Sequence, residues 1–386
     1  MKSLKIEEQI NTVRVELNDK FPERTSVIDG ALAAMLAGEH VLLVGPPGTG
    51  KSALVRALTR AFGGSYFESL LTKFSVPEEL FGAISLKALE SDRFARITAG
   101  RLPEVEIAFI DEVFKANSAI LNSLLAIMNE RIFHNDGIVM KCPLVSVFGA
   151  SNELPSGNDL EALYDRFLVR FDVAYLLRLA NIRAVLTSPE PTLTTTLDMP
   201  TLRTAQAEVA KVIVTDETIE ALLAIREACK LEGIVASDRR WKKTIKLVQA
   251  TAWLAEETQT TPEDLAVLVD CLWREGKERP KLAKIVGRLA DPVGTQAVEI
   301  LDAAREVADK ATALKGGDRK QHVAACAEAL SQFTQQTQKL DGLAKSAGRR
   351  ARSVIGQANG EIRGMHAELA RTISSGLGLG GLKRVQ

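Results

Sequence analysis

Short, unbroken apolar runs alternate with stretches of helical period through the first half of the chain. VLLV (41–44), IAFI (107–110), LVSVFGAS (144–151) and FLVRFDV (167–173) are continuous rather than alternating in hydrophobicity. A strand of that kind is covered on both faces, so the runs predict a parallel sheet between helical layers, an α/β architecture. Residues 3–38 read as two helices, the second closing at Gly38 and leading straight into the first strand.

Beyond residue 176 the strand signals stop. Residues 215–232 and 238–257 place their apolar positions at helical spacing, and the Pro- and Thr-rich stretch 187–201 reads as a connector. The expected organisation is an αβα core over 1–187, a helical lid over 188–290, a helical C-terminal region over 291–375 and a flexible tail over 376–386. The C-terminal region breaks near Lys315–Gly317 and Gly342–Gly348. With few large apolar residues, it is expected to dock as helical hairpins rather than to fold alone.

Composition narrows the chemistry mainly by exclusion. Lys plus Arg equals Asp plus Glu at 49 each over 386 residues, so no global positive field commits the chain to nucleic acid or to an acidic membrane surface. Cys142, Cys229, Cys271 and Cys326 are scattered without a C-x-x-C pair or a nearby His cluster, which predicts reduced thiols rather than a zinc site or a disulfide framework. The charged N-terminus lacks a signal-peptide core and no run is long enough to span a bilayer, so a cytoplasmic location is expected. From Lys345 onward basic residues outnumber acidic ones, either as a solvated helix face or as a docking patch for an acidic partner.

The chemistry concentrates after the first strand. Gly45-Pro46-Pro47-Gly48-Thr49-Gly50-Lys51-Ser52 fits the phosphate-binding loop, with a buried strand before it and a helix after it. Its glycines let backbone N–H groups and the helix N-terminus converge on phosphates. Lys51 is expected at the β- and γ-phosphates of ATP, the Ser52 hydroxyl on magnesium, and Ala53 among the nucleotide contacts. IAFI ends in Asp111-Glu112, adjacent acids whose side chains diverge at a strand end, so Asp111 suits the metal shell and Glu112 the role of base toward water.

Three more polar positions follow. Asn152 ends the next strand, either orienting water beside Glu112 or simply forming a turn. Arg166 and Arg170 bracket the start of the last strand, and either could deliver a cation to a neighbouring subunit's γ-phosphate. Arg239 and Arg240 put positive charge in the first turn of a helix, where the dipole favours a compensating anion. The tandem acids and the long helical lid favour hydrolysis over metabolite phosphorylation, and no N-K-x-D element is present to read guanine.

Taken together, GPPGTGKS (45–52), FIDE (109–112), ASNELP (150–155), LEALYDRFLVRF (160–171) and SDRRWKK (237–243) resemble AAA+ ATPases of the MoxR family, most closely its RavA-like branch. The resemblance implies sensor 1 at Asn152, a trans-acting arginine finger at Arg166 and the lid's sensor 2 at Arg239, with Arg240 beside it unresolved. It also implies hexameric rings with a chaperone-like role beside a von Willebrand factor A domain partner; hydrolysis is expected to release Arg166 and the lid contact and so to rotate lid against core. Residues 84–104 match the family's hairpin within the second helix, and 130–143 the hairpin before sensor 1. The β-containing module of RavA-like proteins has no counterpart, since nothing after residue 291 alternates like strands.

Overall fold

The computed structural model describes residues 5–155, 157–188, 192–314 and 319–376. Part of the expected connector (189–191), the break at Lys315–Gly317 and residues 377–386 of the tail lie outside the described residues. In chain order, α1 (Ile6–Lys20) and α2 (Thr25–Ala37) precede β1 (His40–Val44), then come α3 (Lys51–Phe62), β2 (Tyr66–Leu70), the short α4 (Pro77–Phe81) and α5 (Leu86–Leu89), and β3 (Ile107–Asp111). Next are α6 (Ser118–Glu130), the hairpin of β4 (Ile132–Asn135) and β5 (Ile138–Lys141), β6 (Ser146–Ser151), α7 (Asn158–Arg166) and β7 (Phe167–Asp172). Helices complete the chain: α8 (Leu179–Thr187), α9 (Met199–Val209), α10 (Asp216–Leu231), α11 (Asp238–Leu254), α12 (Arg279–Ala290), α13 (Pro292–Ala313), α14 (Arg319–Ala344) and α15 (Arg349–Gly376).

The main sheet is parallel throughout, in the order β2-β3-β6-β1-β7. The four continuous apolar runs form its interior and one edge. The other edge, β2, has no such run: in Tyr66–Leu70 only Phe67 is buried, an alternation that marks a half-covered strand. Residues 130–143 fold as the expected hairpin, turning on Asp136 and Gly137, both at positive φ as a two-residue hairpin turn requires. Residues 84–104 pair far more briefly than 130–143. They pair antiparallel only at the bridge between Ile84 and Arg96, flanked by the Ser85 N–H to Ala95 and Ile97 N–H to Ala83 carbonyl bonds, around α5 and before a 3-10 turn at Leu102–Glu104.

Helix α2 is apolar over most of its surface because it is buried between the sheet and α11; its one charge, Asp29, pairs with Arg14 at 2.6 Å. A Cβ at Gly30 would lie 2.3 Å from the Phe171 ring, so only glycine permits this approach of α2 to β7. Lid helix α11 is fastened to the core by buried polar groups. The Arg240 guanidinium donates to the carbonyls of Cys271 (2.5 Å), Phe167 (2.7 Å), Leu168 (2.9 Å) and Asp165 (3.1 Å), and to Asp165 Oδ1. Arg170 donates to the carbonyls of Trp273, Tyr164 and Phe167 and stacks 3.7 Å over the Tyr164 ring. Burial, then the neighbouring Arg240, pushes the Arg170 guanidinium down to about 9. Lys243 pairs with the buried Glu39 at 2.6 Å.

Chain contacts divide the protein into two compact units, residues 1–220 with 229–282, and residues 221–228 with 283 onward. In the second, α13, α14 and α15 pack pairwise around a shared core that includes Leu301, Phe333, Leu340, Ile355 and Ile362. The region expected to dock as helical hairpins thus has an apolar core of its own. Alanines at the facing positions, such as Ala304, Ala329 and Ala358, let the helices approach closely enough for a few large side chains to fill the space. Among the described residues, no helix is long and apolar enough to cross a membrane.

Candidate nucleotide site

The site assembles at the C-terminal ends of three adjacent strands. β1 delivers the phosphate loop, β3 delivers Asp111 and Glu112, and β6 delivers Asn152. Gly45 leaves β1 with φ +153, and a Cβ there would meet the Val173 carbonyl oxygen at 2.3 Å, so the chain can turn here only with glycine. Gly50, in the left-handed region, is the N-cap of α3 and aims that helix's first N–H groups into the loop.

Lys51 is nearly buried and donates to the carbonyls of Gly45 (2.7 Å) and Pro46 (2.8 Å), closing the loop on itself. Burial lowers its ammonium below the ordinary value, against the opposing pull of Asp111 and Glu112. Thr49 stiffens the loop through a bond to the Pro46 carbonyl (3.1 Å), and Pro47, Gly48 and Gly50 face solvent. Half-buried Ser52 and Ala53 open α3. The donor set fits a nucleoside triphosphate with its metal: a cation beside two carboxylates, a hydroxyl at a helix N-terminus and a loop shaped by glycine.

Glu112 stands at φ 53, ψ 42, a left-handed conformation uncommon for a glutamate. Both of its carboxylate oxygens are engaged. Asn152 Nδ2 donates to Oε1 at 2.6 Å, and the Lys115 ammonium lies 3.3 Å from Oε2. The Glu112 N–H donates in turn to Asp111 Oδ1 at 2.9 Å.

Two groups that sequence reasoning missed brace this end of the sheet. Buried Arg24 donates to the carbonyls of Ala174 (2.6 Å) and Thr49 (3.4 Å), tying the phosphate loop to the segment after β7. Glu23 accepts from the N–H groups of Leu177 and Arg178 and from Asn181, which hold its carboxyl down at about 2. No motif announces either residue. Their main partners lie far away in sequence, and the two are simply adjacent opposite charges in a polar turn.

The arginines lie at the opposite end of the sheet. Arg166 immediately precedes β7, whose first residue Phe167 pairs with His40 at the start of β1. Arg239 donates to Asn129 at the C-terminal end of α6, next to Met128, whose carbonyl contacts His40. Arg166 and Arg239 are near each other: burial first, and Arg239 second, lower the Arg166 guanidinium. The six residues of β7 separate them from the phosphate loop by about 20 Å at ~3.3 Å per residue, so neither reaches the phosphates of its own subunit.

Two expectations need correction here. Arg240, placed beside Arg239 among the nucleotide contacts, has its guanidinium consumed by buried carbonyls. Arg170, the alternative finger, is 2% exposed and similarly consumed. The exposed members of the two pairs are Arg166, in part, and Arg239. A cavity of roughly 310 Å³ opens beside Arg166, lined by Tyr164, Ser237 and Leu272 among others.

Comparison with known proteins gives the family and the fold. The family model described as the MoxR domain in the MoxR-vWA-beta-propeller ternary systems matches residues 8–225, more than half of the chain, and an AAA lid domain matches residues 217–286. An uncharacterized protein of Methanocaldococcus jannaschii is 42% identical over 292 residues, spanning 75% of this chain and 78% of its own. Protein MoxR of Paracoccus denitrificans is 32% identical over 149 residues, 37% of this chain and 43% of that one. A crystal structure from Cytophaga hutchinsonii, described as a candidate ATPase, has the same fold, with a TM-score of 0.61 at 19% identity over 74% of this chain and 95% of that one.

Proposed function

Because this chain belongs to the MoxR family of AAA+ ATPases, we propose that it works as a hexameric ring in which each ATP site is completed by the neighbouring subunit. Hydrolysis then drives chaperone-like remodelling or assembly of partner proteins. The observation that carries this reading is the separation of Arg166 and Arg239 from their own phosphate loop by the full length of the sheet. Two arginines held together on an exposed face suit a phosphate that arrives from outside the subunit. Head-to-tail contact of the two ends repeats around a ring and closes it.

In this reading Lys51 leaves the loop carbonyls for the β- and γ-phosphates. Ser52 and Asp111 would hold magnesium, which supplies further charge neutralisation there. Glu112 takes the proton of the attacking water, Asn152 orients that water against the γ-phosphate, and Arg166 with Arg239 of the neighbour stabilises the charge that develops. Hydrolysis then releases Arg166 and the lid contact, rotating lid against core. Arg240, Arg170 and the Lys243–Glu39 pair hold α11 to the core of its own chain, and these are the contacts that such a rotation would load.

The partner we propose is a von Willebrand factor A domain protein, on the strength of the systems for which the matching family model is described. The test is a mixing experiment. Arg166→Ala and Lys51→Ala are each expected to be inactive alone, and to regain part of the turnover when combined, because mixed rings contain intact composite sites. No regain at any ratio, with Glu112→Gln remaining monomeric by light scattering in ATP and magnesium, would sink the composite ring.

A further inference from the structure

Lys115 is charged, lies at the phosphate end of the sheet and has no part in the chemistry above. We propose that it is a positioning residue that keeps the Glu112 carboxylate aimed through hydrolysis, while Asn152 is the contact that lets go. This rests on the reading of Glu112 as the base.

The two holders of Glu112 are built differently. Lys115 belongs to the same short turn as Glu112: Val113–Lys115 is a single 3-10 turn capped by Glu112, and the Lys115 N–H donates to the Glu112 carbonyl at 2.8 Å. Its ammonium therefore travels with the carboxylate, and it forms no other ion pair among the described residues. Asn152 comes from the end of β6, a separate strand, and is exposed. A γ-phosphate entering between them is a stronger acceptor than a carboxylate already paired with lysine, so it draws the Asn152 amide away. Oε1 is then free and Oε2 remains tied.

The proton balance follows from that asymmetry. Oε1 takes a proton from water as the water oxygen forms its bond to the γ-phosphorus and the bond to the ADP oxygen breaks; the proton leaves Glu112 afterwards for solvent. Without Lys115, a glutamate in a left-handed turn has nothing to fix its side-chain torsions once Asn152 departs. The carboxylate is 15% exposed and the lysine 47%, so the pair sits at the mouth of the site, where substitution disturbs little of the core.

The experiment compares Lys115→Met and Lys115→Arg with the parent full-length chain, measuring steady-state kcat together with affinity for a fluorescent ATP analogue. Lys115→Met is expected to lose about tenfold in kcat, a fraction of the ~10²–10⁴ that a general base contributes, with analogue affinity within about twofold. Lys115→Arg should recover most of the loss, and adding Lys115→Met to Glu112→Gln should leave that variant's residual turnover unchanged. An unaltered kcat in Lys115→Met would overturn the proposal, and so would a parallel fall in affinity, which would make Lys115 a phosphate contact or a structural prop. Normal turnover in Glu112→Gln would instead remove the base reading itself, a result distinct from any outcome at position 115.

Discussion

If the proposed composite site is right, the doubled arginine of α11 separates into a buried structural member and an exposed one that serves the neighbour's ATP, and the two substitutions should fail in opposite ways. Arg240→Met removes a guanidinium whose nitrogens satisfy four buried carbonyls and one carboxylate oxygen. At about 1 kcal/mol for each of the five lost bonds the cost is roughly 5 kcal/mol, and relief of the repulsion with Arg170 reduces it to about 4. The three tryptophans, Trp241, Trp253 and Trp273, are all buried in the first unit, so their fluorescence during urea unfolding follows the clamped core and lid alone. With a slope of ~2–3 kcal/mol/M, the midpoint should fall by about 1 M or more. Arg239→Ala loses one exposed contact to Asn129 and should leave that midpoint within about 0.2 M, while its ATP turnover collapses. A stable Arg240→Met beside a fully active Arg239→Ala would refute the assignment of both.

Two other perturbations act away from the arginines. His40 is held neutral: burial and then Arg131 push it well below its ordinary 6.5, and its Nδ1 accepts from the Val147 N–H at 2.9 Å. With the folded value depressed, the stability it contributes is complete above 6.5 and is lost as pH falls, at about 1.4 kcal/mol per pH unit, because only the unfolded chain takes up the proton. Urea midpoints measured from pH 7.5 to 5 should therefore fall more steeply in the parent than in His40→Asn, and equal slopes would exclude His40 as the cause. Gly45→Ala places a Cβ 2.3 Å from the Val173 carbonyl oxygen, so ATP affinity should drop at least tenfold for a stability cost of only about 1–3 kcal/mol. Unchanged affinity for the fluorescent analogue would show that the loop tolerates the turn without glycine.

The parallel sheet was legible because burial on both faces writes continuous apolar runs, and the phosphate loop because its glycines and lysine sit at fixed spacing. The edge strand β2 escaped for the converse reason, since one covered face leaves only Phe67 as a signal. Arg24 and Lys115 escaped because their roles are contacts: one with carbonyls remote in sequence, the other with a carboxylate three residues away across an irregular turn.

The arginines are a different case, because the periods that revealed the elements also contain the answer. On α11, Arg240 shares the helical stripe of Thr244, Leu247 and Leu254, which are all buried, whereas Arg239 shares the face of Lys243 and Lys246. A residue on the apolar stripe must turn inward, so its charge can be kept only by partners within the protein. The same holds for Arg170, which stands inside FLVRF. If that run is a strand covered on both faces, its single arginine is an interior residue and cannot reach a neighbour. Arg166, one position before the strand begins, is the first place where the chain can present a cation outward.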